Sequence, residues 1–148
     1  MAKIVVLLSG PNLELLGQRQ PEVYGTATLA DHVATASAAA KAHGLELEHF
    51  QSDSEAELVL AVHAARGRAA AVIVNAGAVS HYGWSLHDAL ATFDGPIIEL
   101  HISNPDAREP FRHTSVLSPV VSGAIMGFGG LGYALAVDAV ASLLDSAA

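Results

Sequence analysis

The feature that most constrains this chain is an alternation of five short apolar runs with stretches of helical periodicity. The runs are KIVVLLSG (3–10), LELEHFQS (45–52), AAVIVNAG (70–77), PIIELHIS (96–103) and VVSGAIMG (120–127). Amphipathic helices are predicted over 27–43, 54–66, 84–93 and 131–145, and Ser54 with Glu57 three residues on has capping-box spacing. Parallel strands need a crossover of about a dozen residues or more, and these intervals supply it. The pattern predicts an α/β fold of the flavodoxin-like kind: a five-stranded parallel sheet with helices on both faces, in a single domain over 1–148.

Composition narrows what such a domain can do. Hydrophobic residues make up 51% of the chain and charged residues 15%, against about 25% charged in an average soluble domain. No run reaches the roughly 20 apolar residues of a membrane span, so the surplus apolar surface points to a homo-oligomer and not to a membrane. A formal net charge of -8 with only seven Lys and Arg excludes a basic stripe for nucleic acid. The absence of Cys removes disulfides, thiolate nucleophiles and Cys-based metal sites and fits a cytoplasmic protein.

In parallel sheets ligands bind beyond the carboxyl ends of the strands, so the residues just after each run carry the functional signal. Here they are unusually polar: GPNLELLGQRQPEVYG (10–25), then Asn75 to His81, then His101, Ser103 and Asn104 leading to Arg108 and Arg112. Such a rim suits a small, oxygen-rich anion. The loop after the first strand is long for a strand-to-helix connection and has the length of a lid. It holds Arg19 and Tyr24 between Pro21 and Gly25. A free tyrosine ionises near pH 10, so a tyrosine base at neutral pH needs help from a cation such as a guanidinium. The spacing alone equally fits a Tyr24 packed on the sheet with Arg19 in solvent.

In the fourth strand, period-2 alternation puts Glu99 and His101 on one face of an otherwise apolar segment. A buried glutamate needs a partner, and Glu99 could hold His101 as an oriented acid or simply form a structural pair. Other motifs lead nowhere. GFGGLG (127–132) matches the dinucleotide fingerprint, but only 16 residues follow it, too few for the second strand and its acidic residue, so it reads as a close-packed turn. The eight histidines show no HExxH and no metal-ligand spacing, and there is no GxSxG. No cofactor and no metal are expected.

Taken together, GPNLELLG, the following RQPEVYG, QSDSEAEL (51–58), the rim residues Asn75, His81 and Asp88, ELHISNPDAREPFRHTSVLSP and the closing Gly132-Tyr133 resemble type II dehydroquinase, the 3-dehydroquinate dehydratase of the shikimate pathway. The likeness spans nearly the whole chain. It implies that Tyr24, as tyrosinate, takes a proton from C2 of 3-dehydroquinate and that Arg19 stabilises this anion. It further implies that Asn12 stabilises the enolate oxygen through a water. His101 then protonates the departing C1 hydroxyl in an anti elimination. Asn75, His81, Asp88, Arg112 and the backbone at Ile102 and Ser103 correspond to the family's substrate-binding positions. The family is similar in assembling trimers into dodecamers. Asp88 lies on a helix leading away from its own strand ends, which predicts that it serves a neighbouring protomer's pocket.

The chain departs from the family pattern at Ser9, Glu14, Ala76, Tyr82-Gly83, Pro110 and Thr114. The alternative to an enzyme is a non-catalytic flavodoxin-like module that binds a small anion. Against it, the third strand ends in Asn75 where a receiver domain needs Asp, and GPNLELLG lacks the Ser/Thr-rich phosphate loop of a flavin site.

Overall fold

The computed structural model describes residues 1–147; residue 148, the last of the expected domain, lies outside the described residues. All five predicted strands form: β1 (Ile4–Ser9), β2 (Glu46–Gln51), β3 (Ala71–Asn75), β4 (Ile97–His101) and β5 (Gly123–Met126). They pair in parallel in the order β2-β1-β3-β4-β5, the flavodoxin-like order. The long loop after β1 is not irregular throughout, because it contains a short helix, α1 (Pro21–Tyr24), which Pro21 opens. The predicted helices are α2 (Leu29–Ala42), α3 (Glu55–Ala65), α4 (Trp84–Ala91) and α5 (Leu131–Ala147).

Alternation along the strands divides the core in two. Val6, Leu8, Val72, Val74 and Ile97 face α3 and α4, where Leu58, Val62, Leu86 and Leu90 cover them. Val5, Leu7, Ile73, Ile98 and Leu100 face α2 and α5, against Ala36, Ala40, Tyr133, Val137 and Val140. β1, β3 and β4 are buried on both faces, which explains why their runs read as continuous apolar sequence.

The helix starts are fixed by local chemistry. The full capping box is at α2, where Thr28 and Asp31 exchange side-chain and backbone bonds. Ser54 does accept from the Glu57 N–H, but the Glu57 carboxylate takes the Ser52 hydroxyl at 2.6 Å instead of returning to Ser54. Only half of the predicted box is therefore made. Where β1 ends, Gly10 donates its N–H to the Asn75 carbonyl at 2.8 Å. A Cβ at Gly10 would stand 2.4 Å from the Ala76 carbonyl oxygen, so only glycine lets the two loops diverge side by side.

His32 of α2 is buried and stacks on Tyr133 with ring centroids 4.7 Å apart and planes 3° from parallel. Its Nε2 has no hydrogen-bond partner, and burial holds the imidazole below its ordinary 6.5, against a smaller opposing pull from Asp31. Burial depresses His49 in the same direction. With a folded pKa below the unfolded one, the unfolded chain binds the extra proton, so stability is lost as pH falls through and below 6.5. The denaturant midpoint should therefore decline between pH 7 and 5. His32→Phe, which keeps the stacked ring, should reduce that decline; an unchanged pH slope in this variant would assign the acid sensitivity elsewhere.

Candidate active site

Because every strand is parallel, the chain leaves the sheet at the same edge after β1, β3 and β4, and a cleft opens there. Nine of the residues singled out from sequence line it: Asn12, Arg19, Tyr24, Asn75, His81, His101, Ile102, Ser103 and Arg112. They come from three separate loops and meet only in the folded chain.

Tyr24 ends α1 and lines the cleft from the loop after β1. The Arg19 guanidinium carbon lies 5.0 Å from its ring centroid. A second cation, Arg108, lies 5.2 Å from the same centroid and donates to the Ser103 hydroxyl at 3.1 Å. From the sequence Arg108 counts only as part of a basic rim; its partnership with Tyr24 depends on the loop after β4 folding back over α1. Two non-glycine residues on the loop after β1, Asn12 and Gln20, have positive φ of 69° and 39°. Asparagine tolerates this region better than most residues. The Asn12 N–H is held by the Asp53 carboxylate at 2.9 Å, which fixes the turn that carries the Asn12 side chain.

Glu99 and His101 project from the same face of β4, as alternation predicts. Glu99 is completely buried, and its Oε2 accepts the His101 Nε2–H at 2.7 Å. That leaves Nδ1 as the ring nitrogen not engaged by the carboxylate. Burial alone would push the carboxyl up, but hydrogen bonds from His101, Ser115 and Ser118, with the histidine's charge, outweigh it and hold Glu99 below its ordinary 4.5. The pair is therefore a carboxylate that orients a histidine.

His81 stands beside His101, its ring 6.5 Å away and 13° from parallel. Its Nδ1–H donates to the Thr114 carbonyl at 2.8 Å, leaving Nε2 available to a ligand. Asn75 is buried, with its Oδ1 accepting the Gly77 N–H at 3.3 Å and its Nδ2 donating to the Tyr133 hydroxyl at 3.2 Å. Burial pushes Tyr133 up to about 12, so it is a neutral phenol that orients an amide. Arg112 lines the cleft with its Nε bonded to Glu109 at 2.9 Å.

Asp88 is not brought to this cleft. It lies on α4 with an 83% exposed side chain, paired to the neighbouring His87 at 2.9 Å. Among the positions that depart from the family pattern, Gly83 has a steric reason: a Cβ there would lie 2.5 Å from Val79 Cγ1 and 2.7 Å from the Val79 oxygen. Ser9 and Glu14 are tied to β2 by His49 at 2.9 Å and by Gln51 respectively. The glycine-rich segment 127–132 is a packed turn, with Gly127 and Gly129 at positive φ and a Cβ at Gly132 only 2.9 Å from Leu100 Cδ1.

This chain matches the family model for class II dehydroquinase over residues 3–141. It is 53% identical over 144 residues to the 3-dehydroquinate dehydratase of Thioalkalivibrio sulfidiphilus, covering 97% of each chain. Against that of Dinoroseobacter shibae it is 49% identical over 143 residues, 97% of this chain and 95% of the relative. The crystal structure of type II dehydroquinase from Propionibacterium acnes superposes with a TM-score of 0.91 at 43% identity, covering 96% of this chain and 98% of that one. A match of this extent in both sequence and fold places the chain in the class II dehydroquinase family.

Proposed function

We propose that this chain performs the dehydratase reaction by an anti elimination through an enolate, with Tyr24 as the base and His101 as the acid. The activity itself, dehydration of 3-dehydroquinate to 3-dehydroshikimate, comes with the family. The observation that carries the stepwise reading is that one cleft holds a tyrosine flanked by two guanidiniums and a histidine backed by a buried carboxylate.

In the first step the Tyr24 oxygen takes the C2 proton, and the C2 electron pair is delocalised onto the C3 carbonyl as an enolate. Arg19 supplies the positive charge that a tyrosinate requires, and Arg108 reinforces it. Asn12, acting through a water, stabilises the enolate oxygen. As the enolate collapses, the C1–O bond breaks and His101 gives its proton to the leaving hydroxyl, so that water departs. Tyr24 then holds one proton too many and His101 one too few, and transfer between them restores the site. Asn75, His81, Arg112 and the Ile102 and Ser103 backbone hold the substrate hydroxyls and carboxylate. These steps need no cofactor.

The same reading gives Asp88 a role in a neighbouring protomer, within a dodecamer built of trimers. It is supported by the exposure of Asp88 away from its own cleft and by Tyr82, Trp84 and Phe111, each more than half exposed nearby in sequence or beside His81. There Asp88 would orient an arginine through a charge-assisted hydrogen bond.

Tyr24→Phe removes only the phenolic oxygen, so turnover should fall by about 10²- to 10⁴-fold while the thermal midpoint and substrate binding stay close to wild type. The assay follows the ultraviolet absorbance of the conjugated enone in excess chelator; retention of more than about a tenth of wild-type activity would move the base role elsewhere. Mixing inactive Tyr24→Phe and Asp88→Asn subunits, after partial dissociation and reassembly, should restore activity. Verified mixed oligomers that stay inactive would show that Asp88 does not complete a neighbour's site.

A further inference from the structure

The carboxylate behind His101 is held by a segment that the steps above do not use. After Arg112 the chain crosses the β4 face with Val116 and Leu117 buried, and the Val116 N–H donates to the Ser80 carbonyl at 2.7 Å. From this crossing the hydroxyls of half-buried Ser115 and exposed Ser118 both reach Glu99. Ser115 donates to Glu99 Oε2 at 2.7 Å, and Ser118 donates to Glu99 Oε1 at 2.8 Å. The direction of the Ser115 bond is imposed by the backbone. Its oxygen accepts the N–H groups of Leu117 at 3.1 Å and Ser118 at 3.3 Å, so both lone pairs are taken and its proton has one remaining course, toward Glu99. With the His101 Nε2–H, three donors converge on one carboxylate that has no exposure to solvent.

We propose that Ser115 and Ser118 are positioning residues for the reaction, acting through Glu99 to set how readily His101 gives up its proton. The inference rests on the reading of His101 as the acid. A carboxylate that already accepts two hydroxyl protons is a weaker base toward its third partner. The serines thus keep Glu99 ionised in an apolar surround and also keep it from binding the histidine's proton too tightly. Without them Glu99 would hold the Nε2 proton more tightly, stabilise the imidazolium and make its Nδ1 proton harder to release to the leaving hydroxyl. The same crossing carries the Thr114 carbonyl that orients His81, so one segment fixes both histidines of the cleft.

The other titratable groups around the pair are few enough for the effect to be read. His81, Asp106, Arg112 and His113 line the cavity on one side of His101, and Arg19, Tyr24 and Arg108 lie across the cleft on the other. From the flanking strands, Val74 and Ala124 pair with Glu99 and Met126 with His101, none of them ionisable.

The test compares Ser118→Ala with Ser118→Thr, which restores a hydroxyl. In Ser118→Ala, kcat should fall about tenfold with little change in KM, and the alkaline limb of the kcat profile should move up by about one pH unit. The carboxyl carbon of Glu99, followed by NMR, should titrate at higher pH than in the wild type. Ser118→Thr should recover most of both changes. Ser115→Ala should shift the profile in the same direction with a larger loss of thermal stability, because two backbone N–H groups also lose their acceptor. Unmoved pH profiles and an unmoved Glu99 titration in folded Ala variants would overturn the proposal, as would a Thr variant as impaired as Ala. A wild-type protein inert toward 3-dehydroquinate would instead overturn the functional reading, with the Glu99 titration still deciding whether the serines control the carboxylate.

Discussion

A charge enclosed in the sheet is the constraint around which the functional end of this protein is organised. Glu99 sits between Ile97 and His101 on one face of β4, and it has no contact with solvent. Taking a carboxylate out of water costs several kcal/mol unless donors replace the water. Three do, from two stretches of backbone: His101 on β4 itself, and Ser115 and Ser118 on the crossing that follows Arg112. Satisfying one carboxylate therefore fixes the path of the chain beyond β4. That path in turn fixes Arg108 against Tyr24 and the Thr114 carbonyl against His81.

The rest of the site follows from parallel topology. All five strands point the same way, so the loops after β1, β3 and β4 converge at one edge although up to about ninety residues separate them in sequence. Close packing where they meet leaves little freedom. Gly10 has room for no side chain beside Ala76, and Gly83 none beside Val79. The polar groups are locked by neighbours that do not themselves enter the cleft: Asp53 holds the Asn12 backbone and Tyr133 the Asn75 amide. Rigid support of this kind is what preorganised chemistry requires, because a displaced donor loses much of its value.

Much of this is legible in the amino-acid sequence. Strands β1, β3 and β4 are buried on both faces and so announce themselves as apolar runs, and the helices between them carry their own start signals. The Glu99 and His101 pairing follows from period-2 alternation within one strand, a strictly local rule. The capping of α3 was only half legible, since Ser52 competes for the Glu57 carboxylate and no spacing rule anticipates that competitor.

Amino-acid order alone is enough for the succession of strands and helices, the parallel sheet, and the set of polar residues placed after each strand. Those properties are written in residue type and periodicity over a few positions. Which polar residues from distant loops act together is settled by packing. Arg108 lies 84 residues from Tyr24 in the chain, and Ser115 and Ser118 lie 16 and 19 residues beyond Glu99, yet each contacts its partner directly. For Asp88, by contrast, helix geometry alone already leads it away from its own strand ends, and in the fold it is exposed and does not line the cleft. Contacts between distant residues depend on where the loops cross once the core has packed, and no local pattern encodes that crossing.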